Sequence, residues 1–315
     1  MNIQFKWSLF FILLFTNVIF GQQAMDSSEY IRIGGIRQFV KLQGADRSKP
    51  ILLFLTGGPG ESSLGFANLI SKKLQKHFLF VQWDQRECGQ TLSKNKSPEK
   101  LTVDLFKNDT HELIDSLLEQ FHQKKLYLLG WSWGTVLGFY VAEKYPEQLY
   151  AYLAVCPVIN QQKSETIALQ KLIETAKQQK NKEALEDLAI VKIPFENQHQ
   201  LFNDRKWLIN FDGKQLKAMH LPKKYLENWA SLWMPVFDST FSNNLLQTLP
   251  RLNCPVYIFA GRKDYQTNFG ITEEYYNRLI APKKDLFWFD NAGHRLPITD
   301  SEAFQDLIIN KVMLP

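Results

Sequence analysis

A serine held between two glycines is the clearest chemical signal in this chain. Ser132 stands in Gly130-Trp131-Ser132-Trp133-Gly134, a G-x-S-x-G pattern that chance alone would place in roughly one chain in ten of this length. Its surroundings therefore decide its meaning. The apolar run Leu126 to Trp131 precedes it, and TVLGFYVAEKYP (Thr135 to Pro146) follows with helical spacing and a proline stop. Strand, tight turn and helix in that order present a serine hydroxyl at a strained corner where only small neighbours fit. The plainer reading is a serine that caps the N-terminus of a helix.

A serine hydroxyl attacks a carbonyl at neutral pH only with a base beside it and an acid orienting that base. Of His77, His111, His122, His199, His220 and His294, only the last follows a late apolar strand in a glycine-bearing loop, FDNAGHRLP. The acid should lie between serine and histidine in chain order. Asp264, in GRKDYQT just beyond the apolar run PVYIFAG, is the choice; Asp290 is the rival, at the end of the strand that feeds His294 and with the wrong reach. The oxyanion of a tetrahedral intermediate needs two backbone N–H donors. Trp133, the residue after the serine, offers one, and the glycine loop Thr56-Gly57-Gly58-Pro59-Gly60 offers the other. No Gly-Lys-Ser/Thr follows that loop, which excludes a P-loop. His111-Glu112 opens a zinc-protease pattern, but Asp115 stands where the second histidine belongs. Neither a metal nor a cofactor is expected.

Elements that could position these groups follow from the pattern of apolar runs. Ile51 to Thr56, Phe78 to Asp84, Leu126 to Trp131, Leu149 to Pro157, Pro255 to Gly261 and Asp285 to Asp290 lack polar alternation and are separated by helical stretches. Such runs predict strands covered on both faces, hence an α/β fold with a mostly parallel central sheet flanked by helices. Tyr30 to Leu42 alternates around Gly34-Gly35 and predicts a hairpin. Between residues 159 and 253 the alternation of strand and helix breaks into long charged helical patterns, which predicts an inserted helical cap. Residues 26–158 and 254–315 then form the two parts of the core. Trp207, Trp229, Trp233 and Phe237 either line a pocket or pack the cap onto the core.

Several spaced motifs together resemble the α/β-hydrolase superfamily, and within it the proline-iminopeptidase-like branch of serine hydrolases. Thr56 to Gly60 is similar to that branch's HGGPG, Trp83 to Thr91 (WDQRECGQT) to its DQRGxGxS, and GWSWGT to its G-x-S-W-G turn. The resemblance implies a nucleophile at Ser132, a base at His294, an orienting acid at Asp264, and oxyanion donors at Gly58 and Trp133, with Gly57 as the substitute for Gly58. It makes Asp84, Gln85 and Arg86 supports of the site; Trp131 and Glu87 are further candidates either for substrate contact or for support of the site. The chain departs from the branch at Thr56, where histidine is usual, and at Glu87, where glycine is usual. Either the second turn differs, or Glu87 points into the cleft as a new polar contact. The branch also holds the substrate's free amine with cap glutamates near a Trp-Glu pair. Here the cap has Glu165, Glu174, Glu183, Glu186, Glu196 and Glu227 but no Trp-Glu dipeptide.

Activity on a short peptide or small amide is therefore the first expectation. An esterase of small acyl esters, or a binding protein on the same fold, is the alternative. The net charge of +5 is spread through mixed-sign stretches, which does not make a nucleic-acid surface. Residues 1–21 place Lys6 before an apolar run from Trp7 to Phe20, read as a cleaved export signal for a periplasmic or secreted protein, with an uncleaved anchor as the alternative. No stable membrane insertion is expected after cleavage. Cys88, Cys156 and Cys254 are odd in number and far apart, and read as buried thiols.

Overall fold

The computed structural model describes residues 23–313; the segment read as an export signal, residues 1–21, lies outside them. Gly34 and Gly35, at φ of +54° and +79°, turn β1 (Met25–Ile33) into β2 (Ile36–Gly44), and the two pair antiparallel over their whole length. The apolar runs become β3 (Ile51–Leu55), β4 (Leu79–Asp84), β5 (Leu126–Trp131), β6 (Leu149–Val155), β7 (Val256–Gly261) and β8 (Lys284–Phe289). They form one sheet in the order β1-β2-β4-β3-β5-β6-β7-β8, antiparallel at β1/β2 and β2/β4 and parallel from β4 onward.

Helices α1 (Ala67–Ser71), α2 (Gly89–Lys94), α3 (Val103–Gln120) and α4 (Gly134–Lys144) join the strands up to β6. The expected helical insertion lies between β6 and β7 as α5 (Gln161–Gln178), α6 (Lys182–Ala189), α7 (Gln198–Leu208), α8 (Lys223–Asp238) and α9 (Leu245–Thr248). Then α10 (Phe269–Arg278) leads to β8, and α11 (Leu296–Thr299) and α12 (Ser301–Leu307) follow it. Among the described residues, no helix is long and apolar enough to cross a membrane.

Burial on both faces explains the unbroken apolar runs. Leu53 and Leu55 of β3 pack with Leu113, Leu117, Leu137 and Val141 of α3 and α4, while Leu52 and Phe54 pack with Ile70, Phe304 and Ile308 on the other face. β8 departs from that expectation, since only Phe289 of its residues is buried. It is the last strand of the sheet, with no neighbour on one side, and the Arg262 guanidinium lies 3.9 Å from the ring centroid of Trp288. The insertion has its own core, including Leu172, Leu188, Leu201 and Phe241. Cys88, Cys156 and Cys254 are free and buried.

A buried ion pair ties the loop after β4 to α3. Arg86 donates to both carboxylate oxygens of Asp109, at 2.6 and 2.8 Å, and also to Gly34 O at 3.1 Å and Ser97 Oγ at 2.9 Å. Both side chains of the pair are fully buried. An Arg86→Met variant would strand the Asp109 carboxylate and should lose about 3 to 5 kcal/mol of stability. Urea unfolding measures this, and a loss below about 1 kcal/mol would show that the pair does not hold the loop after β4 to α3.

Candidate active site

Strand order places the site. β3 is flanked by β4 on one side and β5 on the other, and such a reversal of direction opens a crevice beyond the carboxyl ends of the strands. Leu55 pairs with Gly130 there, so the glycine loop after β3 and the serine turn after β5 emerge side by side. A Cβ on Gly57 would lie 3.2 Å from Ser132 Cβ.

Crowding explains the glycines around Ser132. A Cβ on Gly134 would approach Leu55 O to 2.1 Å, and one on Gly130 would approach Gly134 O to 2.9 Å. Ser132 itself has φ of +54°, a conformation uncommon for a side-chain-bearing residue. The turn is fastened by Ser132 N–H donating to Val155 O at 3.0 Å and by Thr135 Oγ1 donating to Ser132 O at 2.6 Å.

Residues far apart in sequence meet at this turn. His294 Nε2 lies 2.8 Å from Ser132 Oγ, and His294 Nδ1 lies 2.9 Å from Asp264 Oδ2. Further hydrogen bonds converge on the acid: Gln266 N–H and Thr267 N–H donate to Asp264 Oδ1 at 3.0 Å each, and Thr267 Oγ1 donates to Oδ2 at 2.8 Å. Burial alone would raise the Asp264 pKa; the His294 charge and these hydrogen bonds outweigh it and hold the carboxyl below its ordinary range. Trp131 Nε1 donates to His294 O at 3.0 Å, which anchors the histidine loop to β5. Ser132 is 9% exposed and the His294 side chain 16%, so the pair is shielded yet reachable. This arrangement can take a proton from the serine and return it to a leaving group.

Trp133 precedes the first residue of α4, where backbone N–H groups lack intrahelical acceptors. Gly58 has φ of +118°, a region that disfavours any side chain. Trp133 lies in the serine turn itself, and Gly58 adjoins Gly57, the glycine that stands against Ser132. The loop is clamped from the insertion: Trp229 Nε1 donates to Pro59 O at 2.8 Å, and a Cβ on Gly60 would run into the Trp233 ring at 2.1 Å. Trp229 and Phe237 line a cavity of about 190 Å³ together with Gly58, Glu61, Arg205 and Tyr225. Trp233 packs on Phe106, and Trp207 is buried with its indole N–H on Asp187. The four aromatics thus divide between pocket lining and packing.

The segment after β4 lies behind the site. Asp84 accepts from Gln90 N–H at 2.8 Å, Thr91 Oγ1 donates to Asp84 O at 2.5 Å, and Gln85 is buried. Glu87 keeps φ of +55° and its carboxylate accepts from Ser97 N–H. It faces a surface cavity beside Lys96 and Glu99 rather than the one beside Gly58, so the turn is retained and the cleft contact is not made. Asp290 is turned outward toward Arg262 at 3.4 Å. Sequence reasoning missed Thr267 and Glu61, and it gave Cys156 as a buried thiol without placing its Sγ beside the side chains of Asp264 and His294, where polar atoms of all three lie within 4.8 Å of one another. The hydroxyl three residues after Asp264 was a readable signal, whereas nothing in the sequence marks Cys156.

Sheet order, serine turn and an inserted helical segment define a class of protein, and the chain belongs to it: residues 50–301 match the model of the alpha/beta hydrolase fold family. The chain is 27% identical over 307 residues to the probable aminopeptidase YbaC of Bacillus subtilis (strain 168), covering 88% of this chain and 93% of that protein. It is 28% identical over 120 residues to a proline iminopeptidase of Lactobacillus helveticus (strain DPC 4571), covering 38% and 40%. Its fold is similar to that of a proline iminopeptidase-related protein from Thermus thermophilus, with a TM-score of 0.61, 22% identity, and coverage of 90% of this chain and 98% of that one.

Asp264→Asn tests the acid. The substitution should favour the wrong imidazole tautomer and lower kcat by about 10⁴-fold. A folded pKa below the unfolded value contributes stability above about pH 3.9, lost as pH falls through the folded value. Acid titrations of unfolding should accordingly show a shallower decline in the variant than in the wild type. A kcat within about tenfold of the wild type would remove Asp264 from the mechanism.

Proposed function

We propose that the chain is a serine hydrolase of the aminopeptidase type, which cleaves short peptides or small amides next to a free N-terminal residue through an acyl-enzyme on Ser132. The observation that carries the reading is the unbroken chain from Ser132 Oγ through both His294 nitrogens to Asp264. His294 Nε2 takes the Ser132 proton as Oγ attacks the scissile carbonyl, and backbone N–H groups of Gly58 and Trp133 receive the oxyanion. The same nitrogen then protonates the leaving amine as the C–N bond breaks. Water, deprotonated by His294, hydrolyses the resulting ester and restores the serine. The names of the Bacillus and Lactobacillus relatives support the peptide side of the reading. Residues 159–253 serve as a cap that encloses the acyl side of the substrate. Export through residues 1–21 belongs to the same proposal, and N-terminal sequencing of the mature protein checks it.

The experiment is hydrolysis of alanyl and prolyl arylamides beside short acyl esters, by the protein without residues 1–21 and by its Ser132→Ala variant. Arylamide turnover should be present and should fall by about 10⁶-fold in the variant. Turnover of esters alone would make the protein an esterase, and arylamide turnover that survives Ser132→Ala would refute the mechanism.

A further inference from the structure

Glu61 directly follows the glycine loop, outside the inserted helical segment where the sequence placed its candidate acids. It lines the cavity shared with Gly58, and a Cβ on Gly58 would lie 3.4 Å from Glu61 Cγ, so the side chain is seated against the loop that flanks Ser132. Among the described residues it makes no hydrogen bond and no ion pair. The residue is open at the mouth of the cavity, yet enough protein surrounds its carboxyl that desolvation raises the pKa, with the His294 and Arg295 charges pulling the other way. The interaction with His294 places the carboxylate within electrostatic reach of the reacting centre.

The other acids of the insertion are paired or lie off this cavity, among them Asp238, whose buried Oδ1 lacks a partner but which does not line it. Glu165 is fully buried against Arg205, which also pairs with Asp204. Glu174 pairs with Lys171, Glu183 with Lys206, Glu196 with Lys192 and Glu227 with Lys223, and Glu186 belongs to α6, away from the cavity lining. Arg205 reaches the same cavity as Glu61, but its charge is spent on Glu165 and Asp204 and does not repel a cation there. The remaining cavity wall is largely apolar, including Leu201, Ile209 and Phe237. A free ammonium entering such a cavity gains most from Glu61, the one carboxylate in its lining.

We propose that Glu61 is the recognition residue for the substrate's free α-ammonium. This rests on the aminopeptidase reading and assigns its amine site to the oxyanion loop. The ammonium of an N-terminal residue is two bonds from the scissile carbonyl carbon, so the residue that receives it must sit beside the loop that receives the carbonyl oxygen. Glu61 satisfies that requirement by chain position alone.

The test compares a substrate that carries the ammonium, alanyl p-nitroanilide, with an ester of the same acyl skeleton that lacks it, p-nitrophenyl propionate, each referred to its own wild-type rate so that the difference in leaving group cancels. The ratio of their kcat/KM values should fall about 10- to 100-fold in Glu61→Gln, the size expected when a hydrogen bond to a charged group is lost. The change should lie mainly in KM for the anilide, and Glu61→Asp should recover part of it. An unchanged ratio, with both rates intact or both reduced alike, would overturn the assignment while Ser132-dependent anilide turnover kept the aminopeptidase reading. If the wild type cleaves only the ester, that reading fails, and inhibition of ester turnover decides Glu61 separately. Inhibition by alaninamide but not N-acetylalaninamide, lost in Glu61→Gln, would uphold the ammonium site; inhibition that does not depend on Glu61, or none, would overturn it.

Discussion

The backbone turn at Ser132 sets the terms for everything around it. A residue with a side chain is held at φ of +54°, in a bend so tight that Gly134 has carbonyl oxygens of Leu55 and Thr56 where a Cβ would be. Such a conformation persists only when its surroundings over-determine it. Here those surroundings are two parallel neighbours: β3 presses from one side through Leu55, and β6 supplies the Val155 carbonyl from the other. The sheet is therefore more than a scaffold. Its order brings the ends of β3 and β6 to either side of β5, and without both the serine would relax out of reach of His294.

The acid and base depend on the same sheet but reach the site differently. Asp264 and His294 sit on loops beyond β7 and β8, which pack closely at Gly261 and Ala292, and each is further restrained by polar contacts. Two backbone N–H groups and a hydroxyl aim the Asp264 carboxylate, and the Trp131 indole holds the backbone of His294. Loops are imprecise platforms unless supported in this way. Thr267 and Trp131 convert two flexible connections into fixed ones, and Trp131 does so from inside the motif that carries the serine.

Legibility in the sequence followed the physical origin of each feature. Strands covered on both faces write themselves as apolar runs, which is why β3 to β7 and the serine turn could be read from local pattern. β8 carries the same pattern while only partly buried, because an edge strand under an arginine and aromatic cover needs apolar residues too. Glu87 was ambiguous because a positive φ constrains the backbone and leaves the side chain free; the Ser97 N–H, ten residues on, settles its direction. Trp229 and Trp233 lie one helical turn apart in α8, yet one donates to Pro59 and lines the cavity while the other closes on Gly60 and Phe106. Their spacing could not distinguish these roles, since both depend on the angle at which α8 crosses the glycine loop.

That crossing joins two properties usually assigned to separate parts of such a protein. The loop carrying Gly58 is held by Trp229 and Trp233, and Trp229 is also a wall of the cavity beside Gly58. Any change in the insertion that reshapes this wall bears on the glycine loop through the Pro59 carbonyl and the packing on Gly60. The Arg205, Glu165 and Asp204 cluster limits that coupling. Burial raises the Asp204 pKa while Arg205 opposes it, and the Arg205 guanidinium lies near the faces of Phe195 and Phe237, 5.4 and 5.8 Å from their centroids. Charge and aromatic packing thus fix α5, α7 and α8 to one another at the point where they face the loop. The insertion gains a rigid underside, and the shape of the cavity is left to Leu201, Ile209, Tyr225 and their neighbours.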